Sequence, residues 1–142
     1  MTTATDTLRA VIAAWRKQDV EGVLRQVHEN ITWNNSGGLR PPIQGKAEMR
    51  AALQRMAGEI GECRWRLFDV AEVNGRVWME GVDEFFNKAG VRIPVPYAGV
   101  LEFQDGLIVK WREYFEGRLI DRALAGKGVS PQVEAMLDRP EV

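Results

Sequence analysis

At Glu62 the apolar residues of this chain stop recurring with a helical period and begin to alternate one by one. Strand-like runs then follow over residues 63–73, 77–86, 91–103 and 107–115, separated by turn signals. Asn74-Gly75 and Asp105-Gly106 are two-residue hairpin turns, since both central positions of the favoured turn need a positive φ. Asn87-Lys-Ala-Gly90 supplies a third turn. Strands joined so tightly must run antiparallel, and a meander of this length has to bury one face against something else. Pro94 and Pro96 cannot donate to a ladder, so the first half of the third strand is expected at an edge or a bulge.

The covering elements precede the meander. Leu8, Val11, Ile12 and Trp15 repeat at helical spacing, with Thr5 or Asp6 as the cap. Asp19 caps a second, short helix that turns Val20, Val23, Leu24 and Val27 inward. A short strand with Ile31, Trp33 and Asn35 facing inward comes next, then a loop forced by Gly37-Gly38 and Pro41-Pro42. A third helix over residues 46–60 carries Met49, Leu53, Met56 and Ile60 on one stripe, the two methionines reading as core fillers. The end of the chain offers a helical turn over 119–124 and a short helix opened by Ser130-Pro131. Helices first and a long meander afterwards indicate an α+β fold, one domain over residues 1–142, whose curved sheet wraps around the helices and leaves a pocket.

Charge and composition narrow the function. A net charge of −1 gives no general attraction to nucleic acid or an anionic membrane, and no apolar run is long enough to span a bilayer. One cysteine, Cys63, and one histidine, His28, leave little for a disulfide, a zinc cage or a catalytic triad. His28 reads as a surface or helix-end residue. The polar start of the chain leads directly into a helix rather than a signal peptide, so the expected location is the cytoplasm.

Two carboxylates break the pattern. Val77, Met79, Gly81, Asp83 and Phe85 share one face of their strand, opposite Glu80 and Glu84. Leu107, Val109, Trp111, Glu113 and Phe115 share a face of theirs, opposite Lys110, Arg112 and Glu116. Asp83 and Glu113 thus project from faces that are otherwise apolar, where an unpaired carboxylate is costly and must be paired, hydrogen-bonded or protonated. Tyr97, on the parity of Val95 and Gly99, also points inward and offers a hydroxyl to a ligand. Arg64 and Arg66 lie opposite Trp65 and Leu67 and are expected in solvent.

These residues carry a resemblance. Gly90-Val-Arg-Ile-Pro-Val-Pro-Tyr-Ala-Gly-Val-Leu-Glu102, Asp105-Gly-Leu-Ile108, Trp111-Arg-Glu-Tyr-Phe-Glu116 and Pro41-Pro-Ile-Gln-Gly45 are similar to the motifs of the limonene-1,2-epoxide hydrolase group. That group lies in the NTF2-like, or SnoaL-like, superfamily. The resemblance implies a cone-shaped α+β barrel, usually a homodimer, whose deep apolar pocket takes a small apolar molecule and needs no cofactor and no metal. It implies that Glu113 is the base and Asp83 the acid, that Trp33 and Asn35 stand where the family holds its water, and that Trp111 flanks the base. Trp111, Tyr97, Met79 and Leu53 would contact substrate. Three positions differ from the family pattern. Gly81 replaces the arginine that bridges the two acids, Glu113 replaces an aspartate, and Trp33 replaces a tyrosine.

The chemistry suits the pair. Adding water to an epoxide needs a base for the proton of water and an acid for the leaving oxygen. Two carboxylates in an apolar site divide these roles when one keeps a proton. Two other readings remain open: a SnoaL-like isomerase or polyketide cyclase that moves a proton next to a carbonyl, and a module that binds a small molecule without turning it over.

Overall fold

The computed structural model describes residues 2–142 and is α+β. Helices α1 (Ala4–Arg16) and α2 (Val20–Leu24) lead to strand β1 (Val27–Asn34), the two-residue β2 (Ile43–Gln44) and helix α3 (Lys46–Glu59). The meander follows as β3 (Ile60–Val73), β4 (Arg76–Asn87), β5 (Arg92–Gln104) and β6 (Leu107–Phe115). Two short helices, α4 (Arg118–Leu124) and α5 (Pro131–Leu137), close the chain. The cap of α1 is Thr3 rather than Thr5 or Asp6. Thr3 Oγ1 accepts from the Asp6 N–H while the Asp6 carboxylate accepts from the Thr3 N–H. Asp19 caps α2 as expected, but Val27 already belongs to β1, and Ile60 opens β3 instead of ending α3.

One sheet of six strands runs in the order β2-β1-β6-β5-β4-β3. Asn74, Gly75, Asp105 and Gly106 all have positive φ, as their two hairpins require. The connection that alternation could not reveal is β1 beside β6, in parallel, with Trp33 opposite Trp111. The first half of β5, with Pro94 and Pro96, pairs in unbroken register with β4. Its pairing with β6 begins only at Tyr97, so the prolines sit where β5 has a partner on one side alone.

While α5 lies against the other face of the sheet, where Glu134 pairs with Arg92, helices α1, α2 and α3 pack on the inner face. Leu8, Val11, Met49, Val77, Leu101 and Ile108 are fully buried there. Ile108, not Val109, faces this core, because Glu102 pairs with Lys110 and Phe103 with Ile108, leaving Val109 as an extra residue. Such a bulge shifts the phase of the alternation by one.

The outer face corrects another expectation. Glu84 is fully buried, and it accepts from Arg66 Nε at 2.8 Å and Arg92 Nε at 2.6 Å. Arg66 is therefore committed to an ion pair, with Glu141 of the C-terminal segment 3.8 Å away. Arg64 behaves as expected, exposed and paired with Glu62. No helix among the described residues is long and apolar enough to cross a membrane.

Candidate active site

A cavity of about 910 Å³ opens between α3, the loop ahead of β2, the turn joining β4 to β5, and α4. Behind it lies an inner chamber of about 50 Å³. The inner end is aromatic. Trp111 stands 5.7 Å from Trp33 and 6.1 Å from Trp65, and Trp65 meets Tyr97 edge-on at 6.1 Å. Register explains part of this layer, since Trp33 and Trp111 are direct neighbours across β1 and β6.

Asp83 and Glu113 both line the cavity and the inner chamber. On the sheet ladder they are far from adjacent. Asp83 pairs with Val95 and Glu113 with Gly99, on opposite sides of β5 and four residues apart along it. Bending of the sheet brings them to one hollow. Both are half-buried, enclosed by protein on most sides yet reached by whatever the cavity admits.

Their surroundings set their charge. Burial pushes Asp83 up to about 6. Burial, and then the charge of Asp83, push Glu113 up to about 7, while a hydrogen bond from Trp111 Nε1 to Glu113 Oε1 at 2.7 Å opposes the rise. The two titrate as a coupled unit that holds about one proton near neutral pH. Glu113, with the higher value, is the more readily protonated of the two, and the hydrogen bonds pull against that order. An indole N–H donates only, so it favours an ionised Glu113. Asp83 Oδ1 is buried without a partner among the described residues, which disfavours charge there.

The glycines explain why no cation sits between the acids. A Cβ on Gly81 would lie 2.0 Å from the Arg66 carbonyl oxygen and 2.8 Å from the Tyr97 hydroxyl. No side chain fits there without moving the backbone of β3. Tyr97 fills the place instead, its hydroxyl accepting from Trp65 Nε1 at 2.6 Å and donating to the Arg66 carbonyl at 3.0 Å. Gly99 plays the matching part beneath Glu113, where a Cβ would meet Met79 Cε at 2.9 Å and Glu113 Cγ at 3.2 Å.

The residues singled out in the sequence divide into groups. Asp83, Glu113, Trp33 and Tyr97 line both chambers, Asn35 only the outer one, and Trp111 and Leu53 only the inner one. The Trp33 N–H is buried with no partner among the described residues, a donor left for a molecule in the chamber. Tyr97 differs from its expected use, because its one proton is committed to a backbone carbonyl. Met79 is core, lining neither chamber and packing over Gly99 beside Glu113. Met56, read as a core filler, is half-buried and lines both chambers. The sequence reading missed Arg40, Arg55 and Lys88, which line the outer cavity from three different elements. No local signal marks them, since exposed basic residues in loops and on helices are common.

With this geometry the chain can be set beside known proteins. The SnoaL-like domain family matches residues 8–111. Among curated proteins none matches significantly. An NTF2-like protein of unknown function from Burkholderia pseudomallei is 21% identical, over 87% of this chain and 98% of its own, with a TM-score of 0.75. A LEH-like epoxide hydrolase from M. tuberculosis is 22% identical, over 84% of this chain and 87% of its own, with a TM-score of 0.72. A candidate SnoaL-like polyketide cyclase from Shewanella denitrificans is 13% identical, over 86% of this chain and 96% of its own, with a TM-score of 0.77. At these identities the likeness is one of fold, and it is shared by proteins described with different chemistries. The family match itself spans most of the chain, which therefore belongs to the SnoaL-like domain family, in the NTF2-like fold.

Proposed function

We propose that this protein is an acid/base enzyme that adds water to a small, largely apolar epoxide, with Glu113 as base and Asp83 as acid. The observation that carries the reading is the pair itself: two carboxylates in an apolar hollow, with pKa values raised to about 6 and about 7. Water held near the Trp33 N–H and Asn35 gives a proton to Glu113 as its oxygen bonds to an epoxide carbon. The carbon–oxygen bond of the ring breaks, and the alkoxide takes the proton of Asp83. The product is a diol. The proton gained by Glu113 and the one lost by Asp83 balance, and exchange with solvent resets the pair. No group outside the chain is required for these steps.

The test is turnover of an epoxide panel in isotopically labelled water. One labelled oxygen in each diol, with turnover lost in Glu113→Gln and in Asp83→Asn, is the expected result. No diol from any epoxide, with the protein folded, overturns the proposal.

A second reading draws on Gly81. Without a cation between the acids, a single shared proton suits an isomerase or cyclase that takes a proton from a carbon next to a carbonyl. Deuterium exchange at that carbon of a ketone, without epoxide turnover, favours this reading. A ligand that stays bound and unaltered while both assays are blank favours a binding module. We also take the working form to be a cytoplasmic homodimer, on the strength of the family resemblance. A solution mass of 16.0 kDa by light scattering would reject the dimer.

A further inference from the structure

The outer cavity carries basic residues that its aromatic inner chamber lacks. Arg40 comes from the loop ahead of β2, Arg55 from α3 and Lys88 from the turn between β4 and β5, and all three line the cavity. All three are exposed, and their side chains make no ion pair or hydrogen bond to any described residue. This is unusual within the molecule. Every other arginine has a partner: Arg9 and Arg122 on backbone carbonyls, and the rest on carboxylates. The two arginines left over are the two that face the cavity.

Their setting is built. The Lys88 N–H donates to the Glu59 carbonyl at 3.1 Å, tying the turn to the end of α3 and satisfying one of its last carbonyls. Besides Asp83 and Glu113, Glu59 is the one acidic residue among the outer lining. Nor do the three cations act on the catalytic pair, because the raised pKa values of Asp83 and Glu113 have burial and the pair's own interaction as their causes. They line the outer cavity and not the inner chamber that Asp83 and Glu113 also line. What they can reach is the far end of a molecule whose reacting carbon lies by Asp83 and Glu113.

We propose that the molecule this cavity takes is amphipathic, an apolar body with a carboxylate at the end remote from Asp83 and Glu113, held by Arg40, Arg55 and Lys88. The inference rests on reading the cavity as the substrate site. It narrows the substrate to epoxides, or ketones under the second reading, that carry an acid group at the other end of an apolar body. Guanidinium groups suit such a ligand because their planar fork matches a carboxylate with two hydrogen bonds.

Binding tests this apart from catalysis. Trp33 lines the cavity, so indole fluorescence reports occupancy. Octanoate, decanoate and dodecanoate are titrated against the matching primary alcohols, in the native protein and in Arg40→Ala/Arg55→Ala/Lys88→Ala. Partly exposed ion pairs are individually weak, so the expected preference for the carboxylate over the alcohol is about fivefold to tenfold. It should shrink as salt is added and vanish in the triple variant, with alcohol binding retained. Equal binding of acid and alcohol overturns the proposal, and so does a preference that survives in the triple variant. If neither series binds the folded native protein, the proposal falls as well. Carboxylate preference without epoxide turnover would keep this inference and sink the hydrolase. Turnover of neutral epoxides without any carboxylate preference would do the reverse.

Discussion

Asp83 and Glu84 are adjacent on β4, and the two faces of the sheet treat them in opposite ways. Glu84 is fully buried. Burial alone would push its pKa up, but hydrogen bonds from Arg92 and Arg66 outweigh that and hold it below the usual glutamate range. Asp83 has no cation beside it, and burial raises it to about 6. A buried carboxylate between two guanidinium groups is locked in one charge state and can only hold structure together. A carboxylate left unpaired beside a cavity can change its charge near neutral pH. Burial therefore does not distinguish a working acid from a structural one; the partners do.

The largest expected effect breaks the structural side. Glu84→Gln removes the buried anion that Arg66 and Arg92 share, though each keeps a second carboxylate in Glu141 or Glu134, and should cost about 3 kcal/mol of stability in denaturant unfolding. Asp83→Asn should cost little or be stabilising, since no favourable partner is lost. If the two variants prove equally destabilising, the contrast between the faces fails.

Next comes activity. Glu113→Gln should lower kcat on an epoxide substrate by roughly a hundredfold or more while the fold survives, as judged by an undiminished unfolding midpoint.

The pH dependence of stability is smaller and has opposite signs on the two faces. Asp83 and Glu113 have pKa values raised in the folded state, so the folded protein binds protons more tightly than the unfolded chain. Their contribution is fully present below the unfolded values near 4 and is lost as pH rises through about 6 to 7. Glu84 is depressed, so its contribution is present above the unfolded value and is lost on acidification. Stability should thus fall by on the order of 2 kcal/mol between pH 5 and pH 8, about half of what the two raised values would give without solvent in the cavity. Unfolding of the Asp83→Asn/Glu113→Gln double variant should be flat over that window. A decline that persists in it would place the titration elsewhere.

The smallest effect concerns Trp111. Trp111→Phe removes the N–H that favours ionised Glu113, so the acid limb of the pH–activity profile should move up by about one unit. An unchanged limb would mean that this hydrogen bond does not hold Glu113 ionised.

Much of this architecture was legible in the chain. The turns at Asn74-Gly75 and Asp105-Gly106 gave the hairpins, because only a few residue types adopt positive φ cheaply. Alternation then put Asp83 and Glu113 on inward faces, as it did Trp33 and Tyr97. It failed at Val109, where one extra residue moves Ile108 into the core. It also failed at Arg66, which it gave to solvent, because its partner Glu84 and the covering segment come from elsewhere in the chain.

The division has a physical cause. Turn type, capping and the period of apolar residues depend on neighbours within a few positions, and so they belong to the sequence by itself: the helices, the meander and the inward direction of two acids. Whether the acids meet depends on how far the sheet bends across β4, β5 and β6. Whether they keep a proton depends on what stands beside them, and at Gly81 that is settled by a carbonyl of β3 and the hydroxyl of Tyr97. Arg40, Arg55 and Lys88 line one cavity for the same reason, as three distant stretches of chain that only the folded sheet draws together.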